Sequence, residues 1–193
     1  MTCLRSHAAT FILSTVVIVC TSGIPSNAWA QTDPVTWDAA PVIVDEDGIS
    51  VFTPTNPAVA ATDTMVHLAW VRDMGSTDDL HYRRSQDDGA TWLDNVVFTT
   101  GIAGVPSIAA VGGAVAVAWA EEVATGREVR VAVSTNAGMT WAATKTVSAV
   151  SAENLRCTGV VVSGSDVAVL WRTISADTAT HYIGTSSNLG ADW

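Results

Sequence analysis

Apolar residues recur at every second position in three separate stretches of this chain: Val66, Leu68 and Trp70; Val115, Val117 and Trp119; Val167, Val169 and Trp171. That spacing puts each trio on one face of a β-strand. The positions between them are mostly small or apolar as well (Ala69, Ala116, Ala118, Ala168, Leu170). A strand apolar on both faces is expected to lie between two neighbouring layers. Further strand-like runs follow at 80–84, 128–133 and 180–184, and again at 95–99 and 144–150. Proline, glycine and small residues separate the units, at 101–105 and 151–154. Past residue 30 no stretch shows a helical period.

The three stretches belong to a repeat. Segments 56–92, 105–141 and 157–193 align without a gap, each 37 residues long, with starts 49 and 52 residues apart. Each closes on a punctuated octet. The first contains Ser85, Asp87, Gly89, Thr91 and Trp92. The second has Ser134, Asn136, Gly138, Thr140 and Trp141. The third has Ser186, Asn188, Gly190, Asp192 and Trp193. Such an octet predicts a tight turn. The Asp or Asn side chain bonds backbone N–H groups ahead of it, glycine takes a positive φ, and the hydroxyls satisfy further loop groups. The closing tryptophan is expected to anchor the turn on the core. About four short strands in about fifty residues is the composition of a propeller blade.

The octets resemble the Asp-box, Ser-x-Asp-x-Gly-x-Thr-Trp, of bacterial neuraminidase repeats in the sialidase superfamily. The first matches at every defined position. The second carries Asn136 for Asp. The third carries Asn188 for Asp and Asp192 for Thr, which puts its turn bonding in question. The resemblance runs from residue 56 to 193 and implies an all-β fold, a β-propeller of four-stranded antiparallel blades. About three blades are expected here, the third incomplete, as part of a six-bladed ring. It also implies that the octets are structural, joining the third and fourth strands of a blade away from the active site. An immunoglobulin-like sandwich array is an alternative, but the chain lacks the Cys…Trp…Cys spacing of that fold.

Residues 1–30 read as a secretory signal: one positive charge at Arg5, an apolar run from about residue 8 to 19, and Ala28-Trp29-Ala30 before Gln31. The apolar run is shorter than the roughly 18–20 residues a membrane helix needs, so no stable membrane insertion is expected after cleavage. The expected location is extracellular or periplasmic. Residues 31–55 form an N-terminal segment whose Thr36-Trp37 and following Val42-Ile43-Val44 match the end of an octet and the strand after it. It is a candidate outer strand for the last blade, with an arm lying on the first blade as the alternative. Cys157 is the one cysteine past the signal, so no internal disulfide staples the fold, and it reads as a small hydrophobe.

The chain carries a net charge of −10, and without Arg5 the remainder carries about −11. Such a surface repels phosphate backbones, which argues against a nucleic-acid partner. A glycan or glycoconjugate is the ligand the resemblance implies, with no cofactor. By the same resemblance, a sialidase needs three arginines on the substrate carboxylate, a Tyr–Glu pair and an acid/base aspartate. Arg72 resembles the arginine after the first core strand, and Asp73, Asp78 and Asp79 lie where the family keeps its acid/base aspartate. A solvated acidic loop is the competing reading. Thr55, ahead of Pro57, stands where the family's first clamp arginine belongs. Tyr82 and Tyr182 fall on strands leading into octets and read as packing residues. His67, His81 and His181 show no metal spacing and read as polar strand surface. Arg83, Arg84, Arg127 and Arg130 are too scattered to predict an anion patch. Two function classes follow: a sialidase-type glycoside hydrolase, or a non-catalytic propeller for glycan or protein binding or a structural role.

Overall fold

A computed structural model describes residues 54–63, 65–73, 75–93, 95–101, 103–152 and 154–193. All fall in the second of two units of the chain, Ile43–Trp193. The secretory signal and the Thr36–Val44 strand candidate lie outside the described residues. Eleven strands and no helix occur among those described: β1 (Pro54–Thr62), β2 (Met65–Asp73), β3 (Asp78–Ser85), β4 (Val96–Thr99), β5 (Ser107–Val111), β6 (Ala114–Val123), β7 (Gly126–Ser134), β8 (Lys145–Thr146), β9 (Asn154–Ser163), β10 (Asp166–Ser175) and β11 (Thr178–Ser186). They make three antiparallel meanders, β1-β2-β3-β4, β5-β6-β7-β8 and β9-β10-β11. These are propeller blades, and all three core tryptophans lie on the second strand of a blade, as the repeat requires.

Blade two shows why both faces of its central strand are apolar. Ala114, Ala116, Ala118 and Ala120 of β6 turn toward blade three, with Val129, Val131 and Val133 of β7, and meet Val167, Val169 and Trp171 of β10. Val115, Val117 and Trp119 turn the other way and meet Ala69 and Val71 of β2 and Leu80 and Tyr82 of β3. Each interface thus sets the small residues of one central strand against the Val/Trp face of the next, so the blades can approach closely. The β6 residues from Ala114 to Ala120 are all buried. Blade three keeps this pattern on one side only: Val161, Leu170 and Ile183, on its other side, are 62%, 40% and 65% exposed. The expected sandwiching therefore holds for β6 and not for β10.

Two further expectations need correction. The run at 144–150 forms only the two-residue strand β8, because Val147 and the residues after it leave the ladder: Val147 N–H reaches Val129 O, and the Ser148 hydroxyl accepts Val129 N–H at 2.8 Å. His67 and His81 are not surface residues. His67 is fully buried, hydrogen-bonded through Nδ1 to the Tyr82 hydroxyl at 2.8 Å, and His81 is buried under a stacking contact with Trp70. Of the three, His181 alone is exposed among the described residues. Cys157 is part-buried against the core between blades two and three, and burial pushes its thiol up to about 11.

Candidate functional site

Meander topology sorts the loops to two ends of the blades. The β3–β4 octets and the β1–β2 turns share one end. The β2–β3 hairpins and the connections between blades share the other. Backbone bonds fix both arrangements: Ala137 N–H to Gly113 O and Leu189 N–H to Ser165 O at the octet end, Arg127 N–H to Ser151 O and Ala103 N–H to Asp78 O at the hairpin end. A nine-residue strand such as β2 separates the ends by roughly 25 Å.

All three octets close by one scheme. In the first, Ser85 Oγ accepts the N–H groups of Gly89 (2.8 Å) and Asp87 (3.3 Å) and donates to Asp87 Oδ1 (2.7 Å). Asp87 in turn accepts Thr91 N–H (2.8 Å) and the Thr91 hydroxyl (2.6 Å). These bonds, led by those from Thr91, lower the Asp87 carboxyl to about 2. Ser134 and Asn136 repeat the pattern with Gly138 and Thr140, except that the Asn136 amide now donates to the Thr140 hydroxyl at 2.9 Å. The third octet, whose bonding the sequence put in question, is equally complete: Asn188 Nδ2 donates to Asp192 Oδ2 at 3.0 Å. Every side-chain pair has one donor and one acceptor, so Asn for Asp and Asp for Thr compensate each other. The fourth and fifth residues of each octet have positive φ (57° and 90°, 55° and 75°, 53° and 80°). The turn is spent on its own closure, and two of its closing tryptophans pack on the core: Trp141 meets Tyr82 and Phe98 edge-on, and Trp193 packs between blades two and three.

The residues singled out by chemistry sit at the opposite end. Arg72 pairs across the β2–β3 ladder with Asp79, and Asp73 with Asp78. Asp73 Oδ1 accepts Gly75 N–H at 2.7 Å, which closes the hairpin. Asp79 Oδ1 is buried with no hydrogen-bond partner among the described residues. The Asp78 carboxyl is raised, first by burial and then by the neighbouring charges of Asp73 and Asp79, against an opposing pull from Arg127 of blade two. The hairpin therefore brings all four candidates together, and blade two adds a cation that their sequence neighbourhood did not suggest.

Blade two adds more at this end. Glu121, which occupies the repeat position of Arg72, accepts the Trp119 indole N–H at 2.9 Å and the Thr99 hydroxyl at 3.2 Å. Arg130 spans from Glu121 (3.4 Å) to Glu128 (2.8 Å), both of them buried. This Glu–Arg–Glu bridge joins blades one and two through Thr99, and it is saturated within itself. Arg127 pairs with Glu122 at 3.2 Å. The mixed charges in the run from Glu121 to Arg130 are a visible signal for this network, but they do not say which groups are buried. Neither tyrosine reaches this chemistry. Tyr82 is buried toward the octet end, its phenol pushed well above its ordinary range by burial, and Tyr182 stacks on Trp171 at a 5.8 Å centroid separation. Both are packing residues. Arg84 lies at the octet end, its guanidinium 3.4 Å from Ala137 O, apart from Arg127.

No sequence-family model matches the chain, and no curated protein does. Solved structures do. The chain is similar to Trypanosoma rangeli sialidase in complex with the inhibitor DANA, at 12% identity and a TM-score of 0.56, over 74% of this chain and 30% of that one. It is similar to the same sialidase in complex with 2,3-difluorosialic acid, a covalent intermediate, at 11% identity and a TM-score of 0.53, over 73% and 29%. A family 117 glycoside hydrolase from Zobellia galactanivorans matches at 10% identity and a TM-score of 0.49, over 76% and 56%. The chain spans less than a third of the sialidase's length. At these identities the likeness establishes the fold: the described residues are consecutive blades of a β-propeller.

Proposed function

We propose that this chain is part of a secreted, sialidase-like Asp-box propeller that handles glycans at the hairpin end of its blades. The observation that carries this reading is the Asp73–Asp78–Asp79 cluster facing Arg127, on the end opposite the octets, with the Asp78 carboxyl raised by burial and by its two neighbours. A carboxyl that holds its proton more tightly than an ordinary aspartate is better suited to donate it to a leaving oxygen, the requirement on a glycosidase acid. The sialic-acid-type ligands of the similar structures support a glycan as the ligand class. The secretory reading of residues 1–30 supports an extracellular or periplasmic site of action. The test is release of fluorophore from a 4-methylumbelliferyl sialoside by the full chain. Activity that disappears in Asp78→Asn supports a sialidase-type hydrolase with Asp78 as its acid.

A second reading is a propeller that binds glycans without cleaving them. Thr55, at the repeat position of the first clamp arginine, favours it, since threonine cannot make the bidentate grip on a carboxylate that arginine makes. Saccharide binding without fluorophore release would select this reading.

A further inference from the structure

At the octet end, between blades one and two, lies an open pocket of about 410 Å³. Trp92, Leu93 and Val96 of blade one and Met139 of the second octet give it apolar walls, and Tyr82 and Arg84 also line it. Leu93 and Met139 are 38% and 59% exposed, so apolar surface is left open to solvent there. Small-ligand sites have this form, about 300–1,000 Å³ of mostly apolar wall with a few polar groups that fix orientation.

Arg84 is the charged group of this pocket. It is half-buried and makes no ion pair among the described residues. Its one hydrogen bond, to Ala137 O, is long at 3.4 Å. The titratable groups beside it do not neutralise it. His67 stands directly across the β2–β3 ladder and is bonded to the Tyr82 hydroxyl. Burial holds His67 down at about 4 and pushes the Tyr82 phenol up, so both are neutral near pH 7. Asp87, the nearest carboxylate along the chain, is committed to Ser85 and Thr91 inside its octet. Residues 84, 133 and 185 are equivalent in the repeat, and in blade two the position is Val133, buried in the core. Blade one thus puts a cation where blade two puts a core valine, and a part-buried charge is unfavourable until something pairs with it.

We infer that this pocket binds a small carboxylic acid with an apolar body, aromatic or branched aliphatic, through Arg84. The guanidinium fork suits the carboxylate. Trp92, Leu93 and Met139 cover the apolar body, and the unbranched methionine adapts to bodies of different shape. The site is at the opposite end of the blades from the Asp73–Asp78–Asp79 hairpin, and the inference stands apart from the glycan reading.

Calorimetric titration of the full chain with phenylacetate, 4-methylpentanoate, phenylacetamide and acetate tests it. Both apolar acids are expected to bind at least about tenfold more tightly than the neutral amide, and than acetate, which lacks the apolar body. Arg84→Val installs the residue of blade two. It removes the preference for acid over amide while the melting temperature holds, and Arg84→Lys restores part of the preference. If Arg84→Val does lower the melting temperature, Met139→Asp decides: on the exposed wall it weakens both acids by at least about tenfold. Arg156→Ala, in the hairpin-end groove that Glu122 and Arg127 also line, changes neither acid. The inference is overturned if acid and amide bind equally, if acetate binds as well as the apolar acids, or if no acid binds. It is also overturned if Arg156→Ala rather than Arg84→Val abolishes the preference. A blocked Phe-Asp-Leu peptide that binds more tightly than either acid would make the pocket a peptide dock, and the assignment to a small acid falls.

Discussion

Tyr82 of blade one lies against the bare α-carbon of Gly138 in the second octet: a Cβ on Gly138 would collide with the phenol oxygen. The glycine is needed twice over, since its φ of 75° also lies in the left-handed region. This contact is how an octet grips the preceding blade, and Gly190 against Val133 repeats it between blades two and three.

Gly138→Ala is expected to destabilise the fold by about 2–3 kcal/mol, from backbone strain plus overpacking. In a Tyr82→Ala background the clash is gone and only the strain remains, so the glycine substitution costs about 1–2 kcal/mol less there. Urea unfolding of the four proteins in a double-mutant cycle measures the coupling. Additive costs would show that Tyr82 does not rest on Gly138.

The donor–acceptor pairing inside the octets makes a second prediction. Asn188→Asp sets two carboxylates against each other in the third octet, because Asp192 already supplies one. The expected loss is about 1 kcal/mol, recovered in Asn188→Asp/Asp192→Thr, which recreates the first octet. Asp87→Asn, which recreates the second, stays within about 0.5 kcal/mol. Denaturation midpoints of these variants check the order.

Arg130 bridges two buried carboxylates across 3.4 and 2.8 Å. Removing it leaves Glu121 and Glu128 charged without their cation. Arg130→Ala is expected to cost about 2–4 kcal/mol, and Glu121→Gln in the same protein returns part of it. Thermal melts at neutral pH give the comparison.

Acid should destabilise the fold in two separable steps. His67 is held at about 4 rather than 6.5, chiefly by burial and then by Arg84. The unfolded chain therefore takes up this proton first. Its contribution is whole above about pH 6.5 and shrinks as the pH falls toward 4. Asp87 behaves differently, being lowered to about 2 from 3.8 by its octet bonds. Its contribution is whole above about pH 4 and is lost as the pH falls toward 2. Melting temperature against pH should decline in both windows. His67→Gln flattens the upper window and Asp87→Asn the lower.

The repeat, the core strands and the octets are legible in sequence because each is written in local spacing: alternate apolar positions at Val115, Val117 and Trp119, and a hydroxyl four residues before a glycine at Ser134 and Gly138. What is not legible depends on contacts between blades. Nothing near His67 in the chain says that Tyr82, fifteen residues on, buries it. Nothing near Asp78 says that Arg127, on the next blade, faces it. The candidates Arg72, Asp73, Asp78 and Asp79 are neighbours in sequence and so are legible together, whereas Arg127 and Arg156 are drawn to one groove only by the adjacency of blades two and three.

On the proposed function, glycans meet the hairpin end of the blades and not the octets. Amide chemical-shift mapping of the isotope-labelled full chain with sialyllactose tests it most directly. Shifts are expected at the hairpin end, at Asp73, Asp78 and Arg127, with Ser85, Ser134 and Ser186 unmoved. Shifts centred on the octets, or none at saturating sugar, would contradict it.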